Sequence, residues 1–219
     1  IDAKMLLAAR GPRRVASFVE QTDADSFVAE LGDIGIAGFA VNKLDIASMK
    51  WRVTVREVVM RPDGLELHEV SAGGPGAPTL PSSVLGSSDI SAVVAARVTA
   101  RNLLTQNEDE EPLVHLHQRG DVRSHEITLE ALGAAESRSG VPGSSRLERM
   151  MSLITRMASL VPPVRFSDLL LRDPNQADQI VGGLPADWSA SSSAGRLSDA
   201  AIIGTAARLI GLSLLQKGC

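Results

Sequence analysis

The stretch KWRVTVREVVMRPDGLELHEV, residues 50–70, constrains the fold of this chain more than any other segment. Apolar and polar residues alternate along it, as in a strand with one buried face, until a Pro-Asp-Gly turn interrupts them. Because the alternation then resumes, the pattern predicts a β-hairpin with its turn at Arg61–Gly64. Trp51, Val53 and Val55 should be buried, and the outward set is Arg52, Thr54 and Arg56.

Strict alternation fails in this hairpin at the tripeptide Glu57-Val58-Val59. An extra residue in one strand, or a strand covered on both faces, produces this kind of break. The first strand is therefore predicted to contain a β-bulge or to be buried on both sides.

A second hairpin is predicted over PLVHLHQRGDVRSHEITLEAL, residues 112–132, which leads into a short helix. If Gly120-Asp121 is a two-residue turn, His117 pairs with Ser124, and His115 pairs with Glu126. His125 then pairs with Leu116 and points to the opposite face. A His-x-His strand is a common metal-binding arrangement. In this register it lacks further ligands, so we expect no metal, but solvated strand histidines and a cross-strand pair between His115 and Glu126. A different turn length would change the register.

The other periodic segments predict helices. Short helices are predicted before residue 42, with Pro12 opening one and Asp23 or Asp25 capping another. Two longer helices are predicted, one from about Ser88 to Gln106 and one over 146–161 with a Ser145/Glu148 capping box. A short helix should follow Asp173-Pro174, and a last one should run from Ser198 to about Gln216. GIAGFAV, residues 35–41, is either a buried strand or a helix connection. The expected class is α+β: mostly helical, with two β-hairpins forming a small antiparallel sheet. A single globular domain should span 1–219, with mobile loops near 71–88, 137–145 and 186–197.

Composition narrows the function classes. Aromatic residues make up 3% of the chain and Tyr is absent, which disfavours an aromatic platform for single-stranded bases. At a net charge of −4, polyanion binding would need a local patch.

The single Cys219 disfavours a disulfide framework and favours a reducing compartment. No secretory signal pattern opens the chain, and Arg208 interrupts the most apolar late segment, so we expect a soluble protein without a membrane partner.

Basic residues are strongly biased, with 18 Arg against 4 Lys. Arginine forms bidentate contacts with phosphate, although a GC-rich coding sequence produces the same bias. The candidates for polyanion binding fall before a helix, on the first hairpin strand, one turn apart on the helix predicted near 88–106, and opposite the methionines of the 146–161 helix. They are Arg13, Arg14, Arg52, Arg56, Arg97, Arg101, Arg146, Arg149 and Arg156.

Small residues mark one face of the last helix, where Gly204, Ala207 and Gly211 would let another backbone approach closely. The pattern fits either close packing inside the monomer or a helix–helix dimer interface, and we carry the interface as the functional prediction. No phosphate loop and no GxSxG nucleophile elbow occurs in the chain. We therefore predict no catalytic residue, no cofactor and no enzymatic activity.

Ala, Ser and Pro together number 61 of 219 residues and concentrate in APTLPSSVLGSS, SRSGVPGSSR and PADWSASSSAGRLSDAA. With the arginine bias, this composition resembles the proline–alanine–serine-rich protein of the polymycoviruses, capsidless double-stranded RNA viruses of fungi. The resemblance extends over the whole chain and includes no residue-specific motif. It therefore assigns no site residue.

The resemblance implies a non-enzymatic protein that binds or coats the double-stranded RNA genome in place of a capsid. It also implies self-association, as a homodimer or a higher assembly, in the cytoplasm of a fungal host cell. The negative net charge departs from what an RNA coat would favour. The alternative is a globular enzyme or small-ligand binding module from a GC-rich bacterium or fungus.

Overall fold

A computed structural model describes nine parts of the chain: residues 12, 15–42, 52–69, 83–101, 108–120, 123–132, 145–161, 165–181 and 199–216. The helices are α1 (Gln21–Asp33), α2 (Arg146–Leu160), α3 (Leu169–Arg172), α4 (Gln176–Val181) and α5 (Asp199–Gln216), with a 3-10 turn at Glu130–Leu132. The strands are β1 (Arg52–Arg61), β2 (Gly64–Glu69), β3 (Ser83–Gly86), β4 (Ile90–Arg101), β5 (Glu108–Gln118), β6 (Ser124–Ile127) and β7 (Phe166–Asp168).

The seven strands form one mixed sheet in the order β3-β2-β1-β6-β5-β4-β7. Most neighbours are antiparallel, but β1 runs parallel to β6 and β4 runs parallel to β7. Both predicted hairpins exist, as β1–β2 and β5–β6. The predicted fold class is nevertheless wrong, because the hairpins belong to one large mixed sheet and not to a small antiparallel sheet in a mostly helical chain.

The largest local error is β4, which the sequence pattern predicted as a helix from about Ser88 to Gln106. Its central residues are buried on both faces, so apolar residues follow one another without the alternation that marks a half-covered strand. The acidic run predicted as a break is the start of β5, where Glu108 and Glu110 lie opposite Arg101 and Thr99.

Strand β1 is bent by the predicted bulge. Its register with β2 shifts between Val55 and Glu57, so Arg56 is the extra residue. Before the bulge, Arg52 to Thr54 pair with β6; from Val55 onward the strand pairs with β2. Val55 is buried as predicted and Val53 is partly buried, while Trp51 lies outside the described residues.

The sheet is strongly curled, as the link between β3 and β4 requires. Four strands separate β3 from β4 in the sheet, a distance of about 24 Å if the sheet were flat. The chain from Gly86 to Ile90 can span at most about 15 Å. A turn in which Asp89 N–H donates to Gly86 O makes this connection, so β3 and β4 must curve toward each other.

The curl separates two layers. On the concave face, side chains from six strands and α2 form the inner core, which includes Val55, Leu67, Leu116, Leu153 and Met157. On the convex face, β4 and β5 are covered by α3, α4 and α5, with Val94, Leu113, Leu170, Ile203 and Ile210 among the buried contacts. Helices therefore cover both faces of the β4–β5 region.

The helix predictions are confirmed for α2, α4 and α5. Helix α2 begins with the predicted capping box: Glu148 N–H donates to Ser145 Oγ, and Ser145 N–H donates to the Glu148 carboxylate. Leu153 lies in the core, whereas Leu147 is half exposed. The predicted cap of α5 at Ser198 lies outside the described residues.

Near the N-terminus, α1 begins earlier than predicted, after Glu20, so Asp23 and Asp25 lie inside the helix and not at its cap. Residues 15–18, predicted as helix after Pro12, have no regular structure, and neither has 36–42, which includes most of GIAGFAV. In the first predicted loop, 71–88, residues 83–86 form strand β3. In the second, 137–145, Ser145 caps α2. The remaining residues of those loops that were predicted mobile lie largely outside the described parts.

Candidate functional site

A group of charged and polar side chains lies buried between the convex face of the sheet and α5. We call it the polar layer; its members are Arg52, His115, His117, Ser124, Glu126 and Arg208. Alternation along β5 places His115 and His117 on this face, while Val114 and Leu116 enter the inner core. Charged side chains are rarely this deeply buried unless they are paired, so the layer is the strongest candidate for a specialised role.

The predicted register of the second hairpin is confirmed. His115 lies opposite Glu126, His117 opposite Ser124, and Leu116 opposite His125. His125 therefore faces the concave side, where Nε2 lies 3.1 Å from Glu69 Oε1. The two histidines of the polar layer are thus separated from the third histidine by the sheet itself.

Glu126 is the centre of the first half of the polar layer. Its Oε1 accepts a hydrogen bond from Arg52 Nη2 at 2.5 Å, and its Oε2 lies 3.4 Å from Nε2 of His115. Arg52 was predicted to face outward. The prediction was wrong because Arg52 pairs with Ser124 across the parallel β1–β6 contact and so shares the convex face with Glu126.

His117 and Arg208 form the second half. Arg208 Nη1 lies 3.2 Å from His117 Nδ1, and both side chains are buried. A guanidinium has donors and no acceptor, so Nδ1 of His117 must accept this hydrogen bond. The ring proton is then on Nε2, and the geometry requires a neutral imidazole.

The surroundings of both histidines favour the neutral form. Burial is the main cause that lowers the pKa of His115 to about 4; Arg52 and Arg208 lower it further, and Glu126 partly opposes them. The pKa of His117 lies well below its usual value, first because of burial and next because of Arg208, with the Ala207 carbonyl opposing. Both rings are uncharged at neutral pH.

Two glycines of α5 make room for these rings. A methyl group at Gly211 would lie 2.0 Å from Nε2 of His117, whereas one at Gly204 would lie 3.8 Å from His115 Cε1 and from Glu126 Oε2. Gly204, Ala207 and Gly211 therefore face the sheet inside the monomer. This corrects their prediction as a dimer interface: the small residues admit a histidine-bearing strand and are not available to a second helix.

The polar layer is enclosed and incompletely hydrogen-bonded. Among the described residues, no hydrogen-bond partner reaches either ring nitrogen of His115, Nε2 of His117, Oγ of Ser124 or Oε2 of Glu126. No group of three or more His, Cys, Asp or Glu side chains in the described parts converges as metal ligands would. These contacts fix the positions of the side chains and favour the neutral form of both imidazoles. Because α5 covers the imidazoles, they cannot reach a substrate in this state.

The predicted polyanion-binding arginines that lie in the described parts have different partners and exposures. Arg52 and Arg97 are paired with Glu126 and Glu110, and Arg156 donates to the backbone oxygen of Arg61. Arg149 is partly buried, and Arg56 is exposed at the bulge. Arg97 and Arg101 lie on strand β4, so they are not one helical turn apart. Arg13 and Arg14 lie outside the described residues, as do the side chains of Arg101 and Arg146.

Arg208 is the member of the polar layer that sequence reasoning missed as a site residue. It was treated as an interruption of an apolar segment. An arginine in a helix that is otherwise apolar or small, flanked by glycines seven residues apart, indicates a buried partner beneath the helix. That pattern was available in the sequence, but its partners on β5 became evident only with the sheet.

Comparison of the chain with protein-family models, with curated proteins and with solved structures finds no match. In the described parts of the chain, none of the helices has the length and apolar character needed to cross a membrane.

Proposed function

We propose that this protein is a non-enzymatic RNA-associated protein that binds double-stranded RNA through exposed arginines, in place of a capsid. The compositional resemblance to the polymycovirus proteins motivates the choice of ligand, and it places the proposed activity in the cytoplasm of a fungal host. The observation that carries the proposal is the state of Arg56 and Arg119. Both are exposed, and neither forms an ion pair with any described residue.

Local structure holds both arginines on the surface. Arg56 is the extra residue of the β1 bulge, which releases it from the alternation that turned Arg52 inward. Arg119 follows β5, and its backbone N–H donates to Asp89 O at 2.7 Å, which ties the β5–β6 turn to the β3–β4 turn. Within the described residues neither guanidinium has an ion-pair partner, so both can form bidentate contacts with phosphate.

Recognition of an RNA duplex fits this arrangement better than recognition of splayed bases. Duplex RNA is contacted mainly through its phosphates, its 2′-hydroxyls and its shape, whereas single-stranded recognition relies on stacking with aromatic side chains. Arg56 and Arg119 supply phosphate contacts, and the chain has only four Phe and two Trp.

Coating also requires self-association, for which a surface other than the buried face of α5 is needed. Leu147 and Met151, one turn apart and half exposed on α2, are the proposed starting point.

The test is a gel shift with long double-stranded RNA over a salt series. Each phosphate contact contributes about 0.9 to the log–log salt slope for B-form DNA, and we expect a similar value for RNA. The double variant Arg56→Ala/Arg119→Ala should bind more weakly with a slope reduced by about 2. Arg172→Ala is the matched control, because Arg172 is well exposed but already paired with Asp168. It should leave affinity and slope near those of the wild type.

If the wild-type protein shifts no double-stranded RNA at low salt, the proposal is wrong and the alternative of a globular enzyme or small-ligand binding module takes its place. If the wild type binds but the double variant and Arg172→Ala lose equal affinity, the binding is general charge attraction and the assignment to Arg56 and Arg119 fails.

A further inference from the structure

Helix α5 packs directly against the histidines of β5. The His117 ring lies directly under Gly211, in the space that a methyl group would fill. Arg208, on the same helix, donates to the other ring nitrogen of His117, Nδ1, so the helix contacts His117 at two points. No space for solvating a charged imidazole remains between helix and strand at Gly211.

Protonation of His117 would convert this contact from attractive to repulsive. Nδ1 now accepts from the Arg208 guanidinium; once protonated, it would present a second donor and a second positive charge at the same 3.2 Å separation. His115 stands beside it on β5, with Nε2 3.4 Å from Oε2 of Glu126, while the other oxygen of that carboxylate accepts from Arg52. A positive charge on His117 therefore has no carboxylate partner among these residues while α5 is in place, and one on His115 is compensated only by a carboxylate that Arg52 shares.

The charged and titratable groups that face the two rings come from four elements. Helix α5 contributes Arg208, β6 contributes Glu126, β1 contributes Arg52, and β5 contributes the histidines themselves. Strand β4 and helix α4 contribute apolar side chains to the layer, namely Ala92, Val94, Ala96, Ala177, Ile180 and Val181. Two arginines and one carboxylate thus surround the rings, a balance that disfavours any added proton.

We propose that α5 is an acid-released cover: when the two histidines beneath it take up protons, the helix detaches from the convex face while the inner core under α2 stays folded. The inner core has no comparable arrangement, because α2 contributes Met150, Leu153, Ile154 and Met157 to it. His125, on that face, has the carboxylate of Glu69 as its partner, with Nε2 3.1 Å from Oε1. The proposal is independent of RNA binding.

The sign of the effect follows from linkage. The folded-state pKa of His115 is about 4, below the ordinary value of 6.5 that an exposed ring takes once the helix has left. The released state therefore binds more protons, and the closed state loses stability as pH falls from 6.5 toward 4. For His115 alone, the released population should rise by about 20-fold between pH 7 and pH 5, and His117 adds to this.

Hydrogen exchange of the full chain across this pH range, resolved by segment and corrected for the intrinsic exchange rate, tests the proposal. Protection of α5 should fall by at least about 20-fold and drop below that of α2. In His115→Gln/His117→Gln, protection of α5 should become nearly independent of pH, since Gln cannot take up a proton. His68→Gln and His125→Gln, which change histidines away from α5, are matched controls and should behave like the wild type.

Parallel loss of protection in α5 and α2 would overturn the proposal, because it would mean that acid unfolds the whole domain at once. So would an unchanged acid response in the double variant. If that variant does not fold, nitrogen-15 spectra of the wild-type imidazoles decide. While α5 is in place, we expect His117 to hold its proton on Nε2 and to stay neutral; titration of His117 near pH 6.5 with α5 still protected from exchange would refute the mechanism.

Discussion

The two helices that cover opposite faces of the sheet rest on very different side chains. Beneath α2, the inner core is apolar and includes the flexible side chains of Met150 and Met157. Beneath α5, the same sheet presents two imidazoles, a carboxylate and a guanidinium, and α5 adds a second guanidinium. The strands are shared, so the difference arises from alternation: odd positions of β5 from 113 to 117 face α5, and even positions face α2.

The two layers achieve close packing by different means. Apolar side chains in the inner core can adjust to one another, because dispersion and burial are not directional. The polar layer depends on direction, since Arg208 must donate to one nitrogen of His117 and Arg52 must donate to Glu126. It also depends on the absence of side chains at two positions of α5. Burial in the inner core therefore supplies stability. In the polar layer, by our proposal, the position of α5 depends on the protonation of His115 and His117.

The largest expected effect is in the inner core. Leu153→Ala removes a fully buried side chain and should lower the free energy of unfolding by about 2–5 kcal/mol. The loss should be equal at pH 7 and pH 5, because no ionisable group takes part in the cavity. Urea unfolding at both pH values measures it. Leu147→Ala, on the exposed side of the same helix, should change stability by less than about 0.5 kcal/mol.

A penalty for Leu153→Ala that grew in acid would show that the two layers are coupled, and the contrast between them would then be false. Equal penalties for the two leucine variants would instead mean that α2 does not cover the inner core.

Sequence patterns predicted the strand register within the polar layer, but neither its burial nor its two arginines. Counting from a two-residue turn placed His115 opposite Glu126 and separated His125 from it, and the register is confirmed. The same counting was not possible for β4, because strands buried on both faces lack alternation and their apolar spacing can match a helical stripe. Without β4 there was no large sheet for α5 to cover.

Long-range pairing explains the remaining errors. Arg52 was assigned to the exposed face of an isolated hairpin, since nothing in residues 50–70 indicates that β1 also runs parallel to β6. That contact joins residues more than 70 positions apart, and it alone turns Arg52 toward Glu126. In the same way, the small residues of α5 were correctly interpreted as a surface for close approach, but the approaching element was a strand of the same monomer.

A smaller effect is expected where α5 meets His117. Gly211→Ala would place a methyl carbon 2.0 Å from Nε2 of His117, so the ring, the helix or both must move. Overpacking of this kind typically costs about 1–3 kcal/mol, which should outweigh the gain of up to about 1 kcal/mol from replacing a helical glycine. Urea unfolding at pH 7 measures the net loss. A stabilised Gly211→Ala protein would mean that His117 does not pack beneath the helix.

Gly204→Ala should give the smallest effect, and of the opposite sign. The two glycines lie two turns apart on one face of α5, but a methyl carbon at Gly204 would be 3.8 Å from both His115 Cε1 and Glu126 Oε2, an ordinary van der Waals contact. The helix-propensity gain of up to about 1 kcal/mol should therefore remain, reduced if the methyl group displaces a water from the carboxylate. The midpoint of urea unfolding should stay level or rise. A loss above about 1 kcal/mol would show that helix and strand are as tightly fitted at His115 as at His117. The acid response of α5 would then have to be assigned equally to its contacts with His115 and His117, and not mainly to His117, which accepts from Arg208.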